Sequence, residues 1–191
     1  MTVRAIVTIG GSLGGLEALC KLVQPLPRDF PAVLLAVLHT APSSPRLLAE
    51  LVGRSTALVV AYGGDGDVLQ SGRLLIAPPD RHMTVRLSGH IGLDCGPEVL
   101  FVRPSVDKLF ESVARNFGPR AIGIVLSGGL HDGTAGLRAI KAAGGLGIVQ
   151  DPRDARSREM PVNAIKGGHP DYVTRLNEIA PLLVKLLRGE T

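Results

Sequence analysis

Short apolar runs alternate with helical patterns along the whole chain, and this alternation restricts the fold more than any other feature. The runs 4–9, 32–38, 57–61, 73–77, 121–126 and 146–150 are rich in Val, Ile and Leu. None of them alternates apolar with polar residues, so both faces of each strand must be covered. That is how the interior of a parallel sheet reads. Helical patterns occupy 14–23, 44–52, 105–116 and 134–143, and a last one spans 179–187. Pro45 suits a first helical turn, Ser105 an N-cap, and Gly144 and Gly145 a helix end. The stretch 83–97 differs and reads as a hairpin turning at Ser88 and Gly89. The expected fold class is α/β: three layers, α/β/α, with a largely parallel doubly wound sheet and a small antiparallel hairpin. No repeat or linker interrupts the 191 residues, so 1–191 is expected to form a single domain.

Composition narrows the function. Trp is absent and only two Tyr occur, so the core must be aliphatic. The formal charge of +4 comes from scattered Lys and Arg with few aromatics beside them. A nucleic-acid surface would cluster its basic residues and offer rings for stacking, so no nucleic-acid partner is expected. Cys20 and Cys95 form neither a disulfide framework nor a metal-ligand spacing, and Cys20 fits a buried structural thiol. No run reaches about 18 continuous apolar residues, and the N-terminus lacks the pattern of a signal peptide. A cytoplasmic protein without membrane insertion is expected.

Ligands of open α/β sheets bind beyond the carboxyl ends of the strands. Three of those ends are chemically unusual. The first reads Gly10-Gly11-Ser12-Leu13-Gly14-Gly15, the second Leu38-His39-Thr40, and the fifth Ser127-Gly128-Gly129-Leu130-His131-Asp132-Gly133. Residues 10–14 match G-x-S-x-G in the strand–turn–helix setting that a nucleophilic serine needs. A phosphate-binding loop fits less well. The dinucleotide pattern wants glycine where Ser12 stands, and Leu16-Glu17 replaces the Lys–Ser/Thr pair of a P-loop. Ser12, His39 and Asp132 thus supply a nucleophile, a base and an orienting acid on one sheet edge. Rivals exist for two roles. His131 abuts Asp132, and His169 with Asp154 or Asp132 would follow the order Ser, acid, late His. His82 reads as a loop residue and His90 as an exposed hairpin residue. Asp132 also suits the N-cap of the helix that follows it.

These motifs together resemble the catalytic domain of the chemotaxis protein-glutamate methylesterase family (CheB-type). The resemblance rests on IGGSLGGLEAL at 9–19, PLP at 25–27, His39, IAPPDRHM at 76–83, RPSVDKLF at 103–110, LSGGLHDGTAGL at 126–137 and MPVNAI at 160–165. It implies a Ser12–His39–Asp132 triad and hydrolysis of glutamate γ-methyl esters on helical chemoreceptors, with glutamine deamidation in some members. The sequence reads as that domain standing alone, without the receiver domain the family commonly carries, so a separate response regulator is an expected partner. Several positions depart from the family pattern. Leu13 stands where Thr is usual, Thr40 and Gly129 where Met is usual, and His131 where Asn is usual. Leu100-Phe101-Val102 replaces a polar Asn-Arg-His stretch.

The expected chemistry is acyl transfer through Ser12, without metal or cofactor. The amides of Leu13 and of the Gly129 region would hold the oxyanion. Arg103 is a candidate for positioning substrate, with an Asp107 salt bridge one helical turn on as the duller account. An alternative from another class is a non-catalytic or altered-specificity binding module of a chemosensory pathway, which would use the same pocket to hold a receptor helix or peptide.

Overall fold

The computed structural model describes residues 5–189. Its strands are β1 (Ile6–Gly11), β2 (Val33–Leu38), β3 (Val59–Tyr62), β4 (Arg73–Ile76), β5 (His82–Val85), β6 (Ile91–Asp94), β7 (Ala121–Val125), β8 (Leu146–Gln150) and β9 (Tyr172–Thr174). Its helices are α1 (Gly15–Val23), α2 (Leu48–Gly53), α3 (Val106–Phe117), α4 (Thr134–Ala142), α5 (Glu159–Gly168) and α6 (Leu176–Arg188). Arg4, placed in the first strand by its sequence, lies outside the described residues.

The main sheet runs β3-β4-β2-β1-β7-β8-β9, and every neighbouring pair in it is parallel. From β1 the chain steps outward to β2 on one side, and later to β7 on the other. The strand order therefore reverses at β1, which makes the edge beyond β1 the expected ligand crevice. The register brings the strand ends level there. Gly11 pairs with Leu38 and Gly10 with Val125, so residues 12, 39 and 127 leave the sheet side by side.

Both faces of the sheet are buried along β1, β2, β4, β7 and β8, as their unbroken apolar runs require; β3, from the run 57–61, lies at the sheet edge and is only half-buried, with Val59 exposed. Leu34, Ala36 and Leu38 of β2 face one core, together with Leu19 and Leu22 of α1 and Ile179 and Leu183 of α6. Val33, Leu35 and Val37 face the other, with Val106, Leu109 and Phe110 of α3 and Leu137 of α4. The period-two split of one strand between two cores follows from its pleat. The hairpin β5–β6 pairs antiparallel and turns at Gly89, whose φ is +76°. It packs on α3 through Met83, Val85 and Ile91. No helix among the described residues is long and apolar enough to cross a membrane.

Two elements escape the sequence reading and one is shortened. α2 begins at Leu48, not Ser44, because the Ser44 and Leu47 amides close turns onto Ala41 and Pro45. The Tyr62 hydroxyl then accepts the Leu48 amide at 3.0 Å and starts the helix. α5 carries Pro161 in its first turn, where proline costs no hydrogen bond, yet it reads poorly as a helix from its sequence. β9 has only three residues at the sheet edge.

Candidate active site

The turn after β1 is fixed by the backbone before any side chain acts. The Ser12 amide donates to the Ser127 carbonyl at 3.0 Å, and the Ser12 carbonyl accepts from Gly15 at 2.8 Å. Gly14 takes φ +80° and ends the turn, and α1 starts behind it with no side-chain cap. A Cβ at Gly14 would suffer in that conformation and would also meet Ser127 Oγ at 2.8 Å. Ser127 Oγ donates to the Leu13 carbonyl at 2.7 Å and accepts the Ser157 amide at 2.9 Å. The nucleophile-like turn is thereby tied to the loop after β7.

That loop presses against Ser12. A Cβ at Gly128 would fall 3.0 Å from the Ser12 Cβ and 2.0 Å from Met160 Sδ, so only glycine fits. The Gly128 amide donates to the Ser157 carbonyl at 3.1 Å. The Leu130 amide donates to Glu159 Oε2 at 2.7 Å, with Leu130 held at φ +63°. Gly129 lies between these two ties, and its amide has no acceptor among the described residues. The Leu13 amide also lacks one. Two free N–H groups on a pinned backbone, one of them beside a helix N-terminus, form the kind of site that takes up a developing oxyanion.

His39 leaves β2 with its amide donating to the Gly11 carbonyl at 3.1 Å. Its Nε2 lies 2.8 Å from Asp132 Oδ2, with the imidazole 13% and the carboxylate 2% exposed. A carboxylate accepts only, so Nε2 is the donor in this contact, and in the neutral ring that tautomer places the lone pair on Nδ1. Ser12, Leu13, Gly14, His39 and Arg156 line one open groove of about 620 Å³. Among the described residues no hydrogen bond joins the Ser12 hydroxyl to His39; such contacts tighten when substrate fills a site.

Asp132 caps a helix, but not the one that follows it. Its Oδ2 accepts the Val106 amide at 2.7 Å, and its Oδ1 accepts the Asp107 amide at 2.9 Å and the Ser105 hydroxyl at 3.0 Å. It therefore sits on the N-terminus of α3. Asp107, in the first turn of α3, returns the contact: its Oδ1 accepts the Gly133 and Gly136 amides of α4 at 2.9 and 2.7 Å. Each acid satisfies the free amides of the other's helix. Capping and orienting occur at once because the helix that Asp132 caps is α3, not the one that follows it. Burial works to raise the Asp132 carboxyl, but hydrogen bonds from His39 and the Asp107 and Val106 amides outweigh it and hold it below its ordinary value.

Asp107 is displaced the other way. Burial, reinforced by the Asp132 charge and opposed by the Gly136 and Gly133 amides, pushes it from 3.8 to about 6. A carboxyl raised on folding adds stability below its unfolded value and loses it as pH climbs through the folded one. Asp107→Asn keeps an oxygen for both α4 amides and removes the titration. Between pH 4 and 7.5, the variant should gain about 2 kcal/mol relative to the unmutated protein in urea unfolding. A difference that stays constant across this range would mean that Asp107 does not titrate there.

The remaining candidates lie elsewhere. Arg103 does not line the groove. Its Nε and Nη2 donate to Asp80 Oδ1 at 2.9 and 2.6 Å, and Nη1 to the Gly96 carbonyl at 2.8 Å. The Asp107 pairing weighed from spacing is not formed, because Asp107 turns toward α4. His131 is exposed, and His169 is exposed in a left-handed cap of α5, so neither approaches Asp132 as a base would. Asp154 Oδ2 is engaged by the Leu176 amide at 2.7 Å. His82 corrects its loop reading: it opens β5 and is fully buried. Its Nε2 meets the Pro97 carbonyl at 3.0 Å and its Nδ1 accepts the Ser105 amide at 3.2 Å, so it buttresses the residue that holds Asp132. Ser105, Asp107 and His82 were missed as site supports; the clustering of Ser-Val-Asp at a predicted helix start was the available signal.

Comparison with known proteins bears on the family and the fold. The profile of a family described as CheB methylesterase matches residues 7–183. A Methanosarcina mazei relative named protein-glutamate methylesterase/protein-glutamine glutaminase 2 is 37% identical over 98% of this chain and 53% of its own length. The chain spans about half the length of most curated relatives it matches. A relative from Leptospira interrogans, 33% identical, is matched over 97% of this chain and 96% of its own length. The crystal structure of the Thermotoga maritima CheB methylesterase catalytic domain superposes with a TM-score of 0.93 at 31% identity, covering 97% of this chain and 100% of that one. A parallel sheet reversing at β1, a serine turn pinned against the loop after β7 and a profile match over nearly all the described residues lead to one conclusion: this chain belongs to the CheB methylesterase family.

Proposed function

We propose that this chain is a serine-dependent carboxylic ester hydrolase that acts on glutamate γ-methyl esters of chemoreceptor-like proteins. The observation that carries the reading is the 2.8 Å contact between His39 Nε2 and Asp132, which leaves Nδ1 as the basic nitrogen in the groove that holds Ser12. Ser12 Oγ attacks the ester carbonyl and its proton passes to His39 Nδ1. Asp132 holds the tautomer and stabilises the imidazolium. The amides of Leu13 and Gly129 take the oxyanion. Collapse of the tetrahedral adduct expels the alkoxide, which leaves as methanol with the proton from His39. Water, deprotonated by the same nitrogen, then releases the glutamate carboxylate and restores Ser12. A glutamine side chain would follow the same path and release ammonia. Arg103 supports this site from outside, by clamping the 95–96 segment to Asp80. The protein acts in the cytoplasm, with a response regulator as a partner.

The direct test supplies the unmutated protein with p-nitrophenyl acetate, a fluorophosphonate label and a peptide bearing a glutamate γ-methyl ester. Turnover, labelling at Ser12 and methanol release are expected. Ammonia release from the corresponding glutamine peptide would add the amidase activity. A protein that neither labels nor turns over any ester would be the binding module instead.

A further inference from the structure

Arg156 lies between β8 and α5 and forms part of the wall of the groove that contains Ser12 and His39. Arg156 is exposed, and its stem runs past the serine turn: a Cβ built on Gly14 would lie 2.8 Å from Arg156 Cβ and 3.2 Å from its Cδ. The guanidinium forms no hydrogen bond or ion pair with any described residue. The acid that shares the groove, Glu17, is already taken by Lys21 at 2.8 Å. Lys21 first, and Arg156 at longer range, hold the Glu17 carboxyl below its ordinary value. The uncapped N-terminus of α1 adds positive potential on the same side. An arginine offers five donors in a planar fork that matches a carboxylate, and here all five are unclaimed beside the reacting centre.

We propose that Arg156 is a specificity residue that selects acidic polypeptide segments, by binding a carboxylate that neighbours the ester-bearing side chain. The inference rests on the hydrolase reading above and deepens it by naming the charge of the substrate. A carboxylate on the substrate replaces water on the guanidinium without displacing an existing protein partner. The interaction forms in the ground state and persists through acyl transfer, so it should appear in KM more than in kcat.

The test compares two heptapeptides with a central glutamate γ-methyl ester, one flanked by glutamates and one by glutamines. The unmutated protein should prefer the acidic peptide by about tenfold in kcat/KM, carried by KM. The preference should shrink as salt rises from about 20 mM to about 0.5 M, because the groove is open. In Arg156→Ala the ratio should fall to about one, and in Arg156→Glu it should invert. An equal ratio in the unmutated protein and Arg156→Ala would overturn the inference. So would p-nitrophenyl acetate turnover by an unmutated protein that does not discriminate between the peptides, which leaves the hydrolase reading intact. Failure to turn over any of the three esters overturns that reading, and this inference with it.

Discussion

Ser12→Ala is expected to lower ester turnover by about 10⁴–10⁶-fold without measurable loss of stability. The two halves of this result come from different atoms. The fold uses Ser12 only through its backbone: the amide bonds to Ser127 and the carbonyl to Gly15, and alanine keeps both. Ala also places a Cβ where Ser12 already has one against Gly128. The stability change should therefore stay within about 0.5 kcal/mol, or about 2 °C in Tm for a domain of this size. The hydroxyl is the only part removed, and covalent catalysis through the acyl-enzyme ends with it. Some rate above water should persist, because the amides of Leu13 and Gly129 can still polarise a bound carbonyl. Steady-state hydrolysis of p-nitrophenyl acetate and fluorophosphonate labelling measure the first half, and a thermal melt the second. Turnover within tenfold of the unmutated protein would remove Ser12 from the mechanism.

The sheet and the three strand-end residues were legible in the sequence because both depend on local signals. Runs such as 32–38 carry no alternation, and that alone places them inside a parallel sheet. His39 follows such a run directly, Ser12 after two glycines and Asp132 after the loop 127–131, so placing the strands also placed the residues near one sheet edge. The elements that were missed had weak local signals. β9 offers three residues, and Tyr172 and Thr174 are only half-buried. α5 carries Met160-Pro161 in its first turn and closes with Gly167-Gly168, and its helicity rests on packing Met160 and Ala164 into the core. The supports of Asp132 were hidden for a further reason. Its capping partners lie about 26 positions upstream, and the contact exists only because α3 and α4 bring their N-termini together. An aspartate before a helix reads as that helix's own cap; which helix it caps is a tertiary fact. Arg156 was overlooked likewise, since nothing local separates an arginine facing a groove from one facing solvent.

Asp132→Asn should reduce both activity and stability, and the reason lies in how its acceptors are divided. Oδ1 serves the Asp107 amide and the Ser105 hydroxyl; Oδ2 serves the Val106 amide and His39 Nε2. Asparagine has one oxygen to offer. If its amide nitrogen turns toward Oδ1's partners, the Asp107 N–H faces another donor; if it turns toward Oδ2's partners, the Val106 N–H does. Either way one buried backbone donor at the start of α3 is orphaned, at about 2 kcal/mol. That corresponds to a fall in Tm of about 4–8 °C. In the second orientation the side-chain NH₂ also forces His39 to accept at Nε2, which moves the proton to Nδ1. The nitrogen that should take the Ser12 proton then already carries one, and turnover should drop by about 10³–10⁴-fold. In the first orientation the tautomer survives and the loss is smaller, because only the carboxylate charge that stabilises the imidazolium is gone. Unfolding by urea together with the pH profile of kcat separates the cases, since a histidine in the wrong tautomer depresses the rate at every pH. A variant that keeps both Tm and kcat would show that Asp132 neither caps α3 nor orients His39. An unchanged kcat with a lowered Tm would confine Asp132 to the first of those roles and send the search for the orienting group elsewhere.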